Sequence, residues 1–362
     1  MKFHYGWIIF CFILHSKFNN AKLLLVQVLA HHTECNPHPG VINSLFPHMP
    51  DIINSSYILE GPSQLTSNGK MDAWKLGVYF RQTYEDLYYH SRIYFRPERV
   101  DAPLETTCLM ARGIFLKNSL DDNCVELKNR NNLWFDINYL KMDPLYSGWF
   151  KCLDPVGFGQ IPPEDVNKNL EAAYEYMFNQ TGSKFDKFYR SGILYRQFRA
   201  MESVGITLEP WMERIYPDGI LKNLTIDEYA QQSAGSAKLR LNGGAHIGIF
   251  LRNVNNYLDG LDLRKLFIFV GDDIHIVGLL NILKVYDNNH IPNYGSYIVL
   301  ELHNIENKLV VRAKYNNGTS VTEPPAPLVI PGCSEDCPLQ EFEVILGQHI
   351  LYTHFHKLKC NM

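Results

Sequence analysis

Residues 22–30 (KLLLVQVLA) are apolar almost without interruption. A strand with one wet face would alternate, so this run predicts a strand buried on both faces, as in a parallel sheet. It gives way to an ionisable stretch, His31-His32-Thr33-Glu34-Cys35-Asn36-Pro37. A second run of the same kind, residues 265–270 (KLFIFV), ends at Gly271-Asp272-Asp273. Between them, Gln64 to Gly69 reads as a turn and helix cap, residues 70–89 as an amphipathic helix and 91–95 as another buried strand. From about Cys108 to Leu239 the pattern turns to polar helical segments, such as 167–179, with no strand series. That stretch predicts a helical insertion or cap. Order returns with a helix over 243–258 that lines up Ile247, Phe250, Leu251, Val254 and Leu258 on one side. A helix over 277–285 follows, then strands over 297–302 and 308–314 spaced as a hairpin, a loop over 331–338 and a terminal helix.

The predicted class is α/β: a three-layer α/β/α sandwich with a mostly parallel central sheet, helices on both faces and a helical cap inserted between about residues 110 and 240. If the strands at 22–30 and 265–270 are neighbours in one parallel sheet, His31-His32 and Asp272-Asp273 meet at one rim. Polar groups at the carboxyl ends of such strands are where open α/β sheets place ligands. A base or nucleophile from one strand and a carboxylic acid from another make a workable hydrolytic arrangement. The plainer reading is that strand ends are simply polar.

Composition narrows this picture. Of 362 residues, 46% are hydrophobic and 20% charged, which excludes global disorder. Lys+Arg number 34 against Asp+Glu 38, without the basic excess of a nucleic-acid-binding surface. Lys2 precedes a short apolar run from Gly6 to Leu14, with polar residues and Ala21 beyond, the pattern of a secretory signal peptide over residues 1–21. That run is too short for a membrane span, and no second one follows. Asn54, Asn179, Asn223 and Asn317 each open a glycan acceptor triplet, in keeping with a secreted glycoprotein. Removal of the leader takes Cys11 and leaves seven of the eight cysteines, so at least one is a free thiol or bridges chains.

Several stretches resemble the histidine acid phosphatases, the prostatic and lysosomal branch with its venom relatives, over nearly the whole of residues 22–360. They are Leu328 to Leu339 around Pro331-Gly332-Cys333, Gln64-Leu65-Thr66 with Gly69 and Leu76-Gly77, and Leu241-Asn242-Gly243-Gly244. The resemblance implies a phosphoglycerate mutase-like fold, a phosphohistidine mechanism, a frequent homodimer, and disulfides Cys333–Cys337 and Cys152–Cys360. Cys108 with Cys124 is a further possible bridge, which would leave Cys35 as the odd thiol. The family motif after the first strand is Arg-His-Gly-x-Arg-x-Pro. Here the nucleophile position is kept as His32 and the proline as Pro37, but both arginines are replaced, by His31 and Cys35. Ala102 stands where a third phosphate-binding arginine is expected. Of the family's His-Asp pair, the proton donor is kept as Asp273 and the histidine has become Asp272.

Phosphoryl transfer relies on charge held around the equatorial oxygens, and arginine supplies it as a permanent fork of donors. With each contact worth roughly 1.5–3 kcal/mol, three missing ones amount to about 5–9 kcal/mol, or roughly 10⁴–10⁶ in rate. His31 could offer a charge in acid, from a reference pKa near 6.5. Arg96 and Arg99 lie close in sequence to Ala102, although such arginines are more often surface residues. Asp272 would repel a phosphate dianion. The reading is a secreted pseudophosphatase, with the lysosome as second location. Its alternatives are an active acid phosphatase working through His32, and a binding protein of the venom or salivary kind that reuses the old cleft for another small ligand. His31, His32, Cys35, His38 and Asp272 are competent zinc ligands, but residues drawn from two strand ends without a known spacing read more simply as remnants. No metal or cofactor is therefore expected, and the expected partner is a phosphate monoester or other small molecule.

Overall fold

The computed structural model describes residues 21–49, 60–87, 93–98, 100–115, 168–185, 188–287 and 290–350. In chain order its elements are β1 (Lys22–His31), α1 (Pro39–Leu45), α2 (Ser67–Thr83), β2 (Ile93–Pro97), α3 (Asp101–Phe115), α4 (Lys168–Thr181), α5 (Phe188–Ser203), α6 (Pro210–Glu213), α7 (Ile220–Gln232) and α8 (Gly235–Leu239). A wide helical turn, Arg240–Gly244, then leads into α9 (Ala245–Leu258). The rest is β3 (Leu266–Gly271), α10 (Asp273–Ile282), β4 (Tyr297–Ile305), β5 (Lys308–Asn316), β6 (Ala326–Leu328), β7 (Cys337–Pro338) and α11 (Leu339–Gly347). Most expected elements stand within a few residues of their predicted places.

The strands form one sheet in the order β2-β3-β1-β4-β5-β6, with β7 also on β5. The expected parallel core is β2-β3-β1, and the β4–β5 hairpin extends it antiparallel. β1 is buried on both faces because both are covered. Leu25 and Leu29 pack with α9, α10 and α11, while Val26, Val28 and Ala30 pack with α2 and α3. The polar exception, Gln27, is satisfied internally: it donates to the His246 carbonyl and accepts from Asn253.

Two boundaries differ most from expectation, the end of α2, at Thr83 rather than 89, and the start of α10. α10 begins at Asp273, four residues before the predicted start, with Asp272 in extended conformation at its N-cap. The helix is buried almost all round, so its sequence has no amphipathic period to mark the beginning. The polar pair past β3 is thus a strand-to-helix turn.

The helical cap is present in its described part, α4 to α8. It has a core of its own, built on Phe198, Met201, Met212, Leu221 and Tyr229, and this core reaches α10 through Ile274 and Val277. Cys333 and Cys337 are bridged as expected. Cys35 is a free thiol. Cys108 is disulfide-bonded. Residues 1–20, Asn54, Arg99, Cys124, Cys152 and Cys360 fall outside the described residues. Among the described residues no helix is long and apolar enough to cross a membrane.

Candidate functional site

The two buried strands are neighbours, and their carboxyl ends are level: Ala30 pairs with Val270 and His31 with Gly271. The His32 backbone N–H extends the ladder by donating to the Gly271 carbonyl at 2.9 Å. His31, His32, Asp272 and Asp273 therefore do meet at one rim. A cavity of about 220 Å³ opens there, lined by His31, His32, Cys35, Ala102, Asp272 and, from the cap, Arg196, among others.

The loop after β1 is held on both sides. The Thr33 N–H donates to Thr106 Oγ1 of α3, and the Asn36 N–H to the Gln64 carbonyl. Thr66 caps α2 by accepting from the Gly69 N–H, and its hydroxyl donates to Glu34 at 2.5 Å. A Cβ on Gly69 would sit 2.0 Å from the Glu34 carbonyl oxygen. The glycine is needed for α2 to start against this loop.

His32 is capped at both ring nitrogens. Its Nδ1–H donates to the Thr33 carbonyl at 2.8 Å, and its Nε2 lies 3.3 Å from Asp272 Oδ1. A carbonyl and a carboxylate both accept, so the pairing favours the doubly protonated ring. Burial opposes that charge, but the Asp272 hydrogen bond and charge, helped by the Thr33 carbonyl and Asp273, outweigh it and hold the His32 pKa above its ordinary value. For Asp272, burial is likewise outweighed, by the hydrogen bond and charge of His32, and its carboxyl is held below the usual range.

His31 behaves oppositely. Its ring is 2% exposed, and Nδ1 lies 2.9 Å from the Asn293 carbonyl. Burial, then the neighbouring His32, push its pKa down to about 3. The shift runs against the charge that the sequence suggested His31 could supply in acid.

Asp273 lies under the cavity floor rather than in it. It is fully buried; Arg196 Nε donates to both of its oxygens at 3.0 Å, and the Tyr229 hydroxyl donates to Oδ2 at 2.7 Å. Against the desolvation cost, the Arg196 charge keeps its carboxyl below the ordinary value. Cys35 hydrogen-bonds with Tyr294, and burial pushes its thiol up to about 12. Ala102, in the first turn of α3, forms buried wall. Arg96 is buried on β2 beside His246 and does not line the cavity.

Sequence reasoning missed the cap's contribution. Arg196 and Arg199, one turn apart on α5, both line the cavity. Arg199 donates to the Pro292 carbonyl at 2.9 Å and lies over the Tyr195 and Tyr294 rings. Their i, i+3 spacing was readable, but nothing in the chain said which way α5 faces. A second cavity, of about 380 Å³, adjoins the first and carries Glu34, Asp72, Glu202, Tyr195, Tyr216 and Tyr294 around Arg199.

The architecture is shared with solved phytases. The structure of Hafnia alvei phytase in complex with myo-inositol hexakis sulphate superposes with a TM-score of 0.63 at 14% identity, over 92% of this chain and 98% of that one. Klebsiella sp ASR1 phytase gives 0.62 at 15%, over 92% and 96%. No family model matches the chain. The sequence relatives are acid phosphatases. The venom acid phosphatase of Apis mellifera is 26% identical over 337 residues, 89% of this chain and 84% of that protein. Prostatic acid phosphatase of Mus musculus is 27% identical over 82% of this chain and 80% of its own length. Lysosomal acid phosphatase of Bos taurus is 25% identical over 78% and 69%. Along most of its length the chain is similar to acid phosphatases of the venom, prostatic and lysosomal kinds.

Proposed function

We propose that this protein is a secreted, glycosylated member of the acid phosphatases that no longer hydrolyses phosphate monoesters. The observation that carries the reading is Asp272 at 3.3 Å from His32 Nε2. A histidine attacks phosphorus through a free lone pair, and here that lone pair faces a carboxylate that favours a proton on it. The same carboxylate occupies the approach of a phosphoryl group and repels its charge. Arginines are lacking at the positions of His31, Cys35 and Ala102, and Asp273, tied to Arg196 and Tyr229, is a poor source of a proton for a leaving alcohol.

Purified protein assayed with p-nitrophenyl phosphate from pH 4 to 6 tests this. Turnover is expected to fall roughly 10⁴-fold or more below that of an intact relative. Turnover near the relative's, abolished by His32→Ala, would refute the reading. Arg196 and Arg199 favour the second reading, an active phosphatase with a rearranged anion site, and the same assay decides between the two. Secretion and glycosylation rest on the leader pattern and the acceptor triplets. Asn179 and Asn223 are exposed on α4 and α7, where glycans fit the folded chain. A mass shift of the secreted protein on enzymatic deglycosylation is expected.

A further inference from the structure

We infer that His31, His32 and Asp272 form a binding site for one divalent transition-metal ion of the zinc kind. One ligand atom from each of the three lies within 4.8 Å of the others. In a tetrahedral zinc site, with bonds near 2.0–2.2 Å, ligand atoms stand about 3.4 Å apart. His32 Nε2 and Asp272 Oδ1 are already 3.3 Å apart, so only His31 has to close in.

Both imidazoles are oriented as metal ligands usually are. His31 Nδ1–H is held by the Asn293 carbonyl and His32 Nδ1–H by the Thr33 carbonyl. That fixes the tautomer and leaves Nε2 of each ring as the donor atom. Two imidazoles and one carboxylate are a borderline set that suits zinc and its first-row neighbours rather than calcium or magnesium. The ion would take the place of the proton between His32 and Asp272.

Access and charge agree. The cavity reaches the three side chains from outside and leaves room for a water or a small ligand as a fourth donor. Its wall carries Asp101 and Asp272 against Arg196 and Arg199, and Arg196 is held by Asp273 beneath. Three carboxylates against two guanidinium groups leave an excess of one negative charge when the imidazoles are neutral. The site depends on Asp272, the residue that departs from the family pattern. The inference goes beyond the pseudophosphatase reading and does not require it, since the three ligands would hold the ion whether or not esters turn over.

The whole secreted protein, stripped with EDTA, is titrated with zinc chloride by calorimetry and with cobalt chloride by visible absorption. The expected result is one ion per chain, cobalt bands of a four- or five-coordinate nitrogen and oxygen site, and a loss of affinity of about 100-fold or more in both His31→Ala and Asp272→Asn. Thermal unfolding checks that each variant is folded. Should His31→Ala fail that check, Asp272→Asn carries the test, because its side chain is 38% accessible and it replaces the residue nearly isosterically. An absence of saturable binding to the folded wild type, or unchanged affinity in the folded variants, overturns the inference. Phosphatase activity is read separately in EDTA, so failure of either reading leaves the other standing.

Discussion

Asp273 and Arg196 form a pair whose acid has no exposure and whose base is one-quarter exposed. Removing one member of such a pair leaves a charge uncompensated in a poorly hydrated site, which typically costs 3–5 kcal/mol. Arg196→Leu should accordingly lower stability in urea by about 3 kcal/mol, toward the small end because solvent reaches the guanidinium. Asp273→Asn should cost less, since the amide still accepts from Tyr229. Loss below about 1 kcal/mol in Arg196→Leu would mean that the pair does not hold the cap on α10. Cys35 is a different residue-scale case. Its thiol is pushed up to about 12, and the thiolate is the reactive form. Alkylation at pH 8 should be slow in the native protein and complete only after unfolding. Rapid labelling of native protein would show the opposite environment.

Among the elements, α2 and α3 are set by how closely their backbones approach. A Cβ on Gly77 would lie 2.1 Å from the Met110 carbonyl oxygen, and one on Gly113 2.2 Å from that of Trp74. These two helices bury Val26, Val28 and Ala30 of β1, and α3 carries the Thr106 that holds the loop behind His32. Gly77→Ala should therefore lower stability by about 1–3 kcal/mol through overpacking. Gly347→Ala in α11, where a new Cβ meets nothing within 4 Å, is the control and should be near neutral. Equal effects of the two would remove close packing as the explanation. α5 works at this scale too, since one helix holds Asp273 through Arg196 and roofs both cavities through Arg199.

For the whole molecule, acid stability runs through the hairpin. Glu301 on β4 accepts from Tyr84, His303 and Lys314 at 2.8–2.9 Å, tying β4 to β5 and to the segment after α2. Burial works against the ionised form, but the hydrogen bonds from His303 and Lys314 win and bring its pKa from 4.5 to about 2. A carboxylate whose folded pKa is depressed stabilises the fold above its unfolded pKa and loses that contribution as protons bind. Here the loss should fall between about pH 4.5 and 2 and be on the order of 3 kcal/mol. Glu301→Gln should be less stable at pH 7 and show a flatter stability profile across that window, read by urea unfolding at each pH. An unchanged profile would place the acid sensitivity elsewhere.

Buried strands, covering helices and the parallel β1–β3 core were legible in the chain because burial on two faces leaves continuous apolar runs, and a period of 3.6 marks a helix that has one wet face. The side chains offered at His31, Cys35, Ala102 and Asp272 were equally legible, since a residue's chemistry is local. Where that local pattern fails, so did the reading: α10 is buried all round and its start was misplaced. Only the tertiary structure decided what the surviving groups do. It set Asp272 against His32, withdrew Asp273 beneath the cavity and brought Arg196 and Arg199 over from a helix more than 150 residues after β1 in the chain. It also lowered the pKa of His31 and raised that of His32, although the two are adjacent and of one type. Burial and partners across the fold fix which form each ring takes, and neither is written in the residue itself.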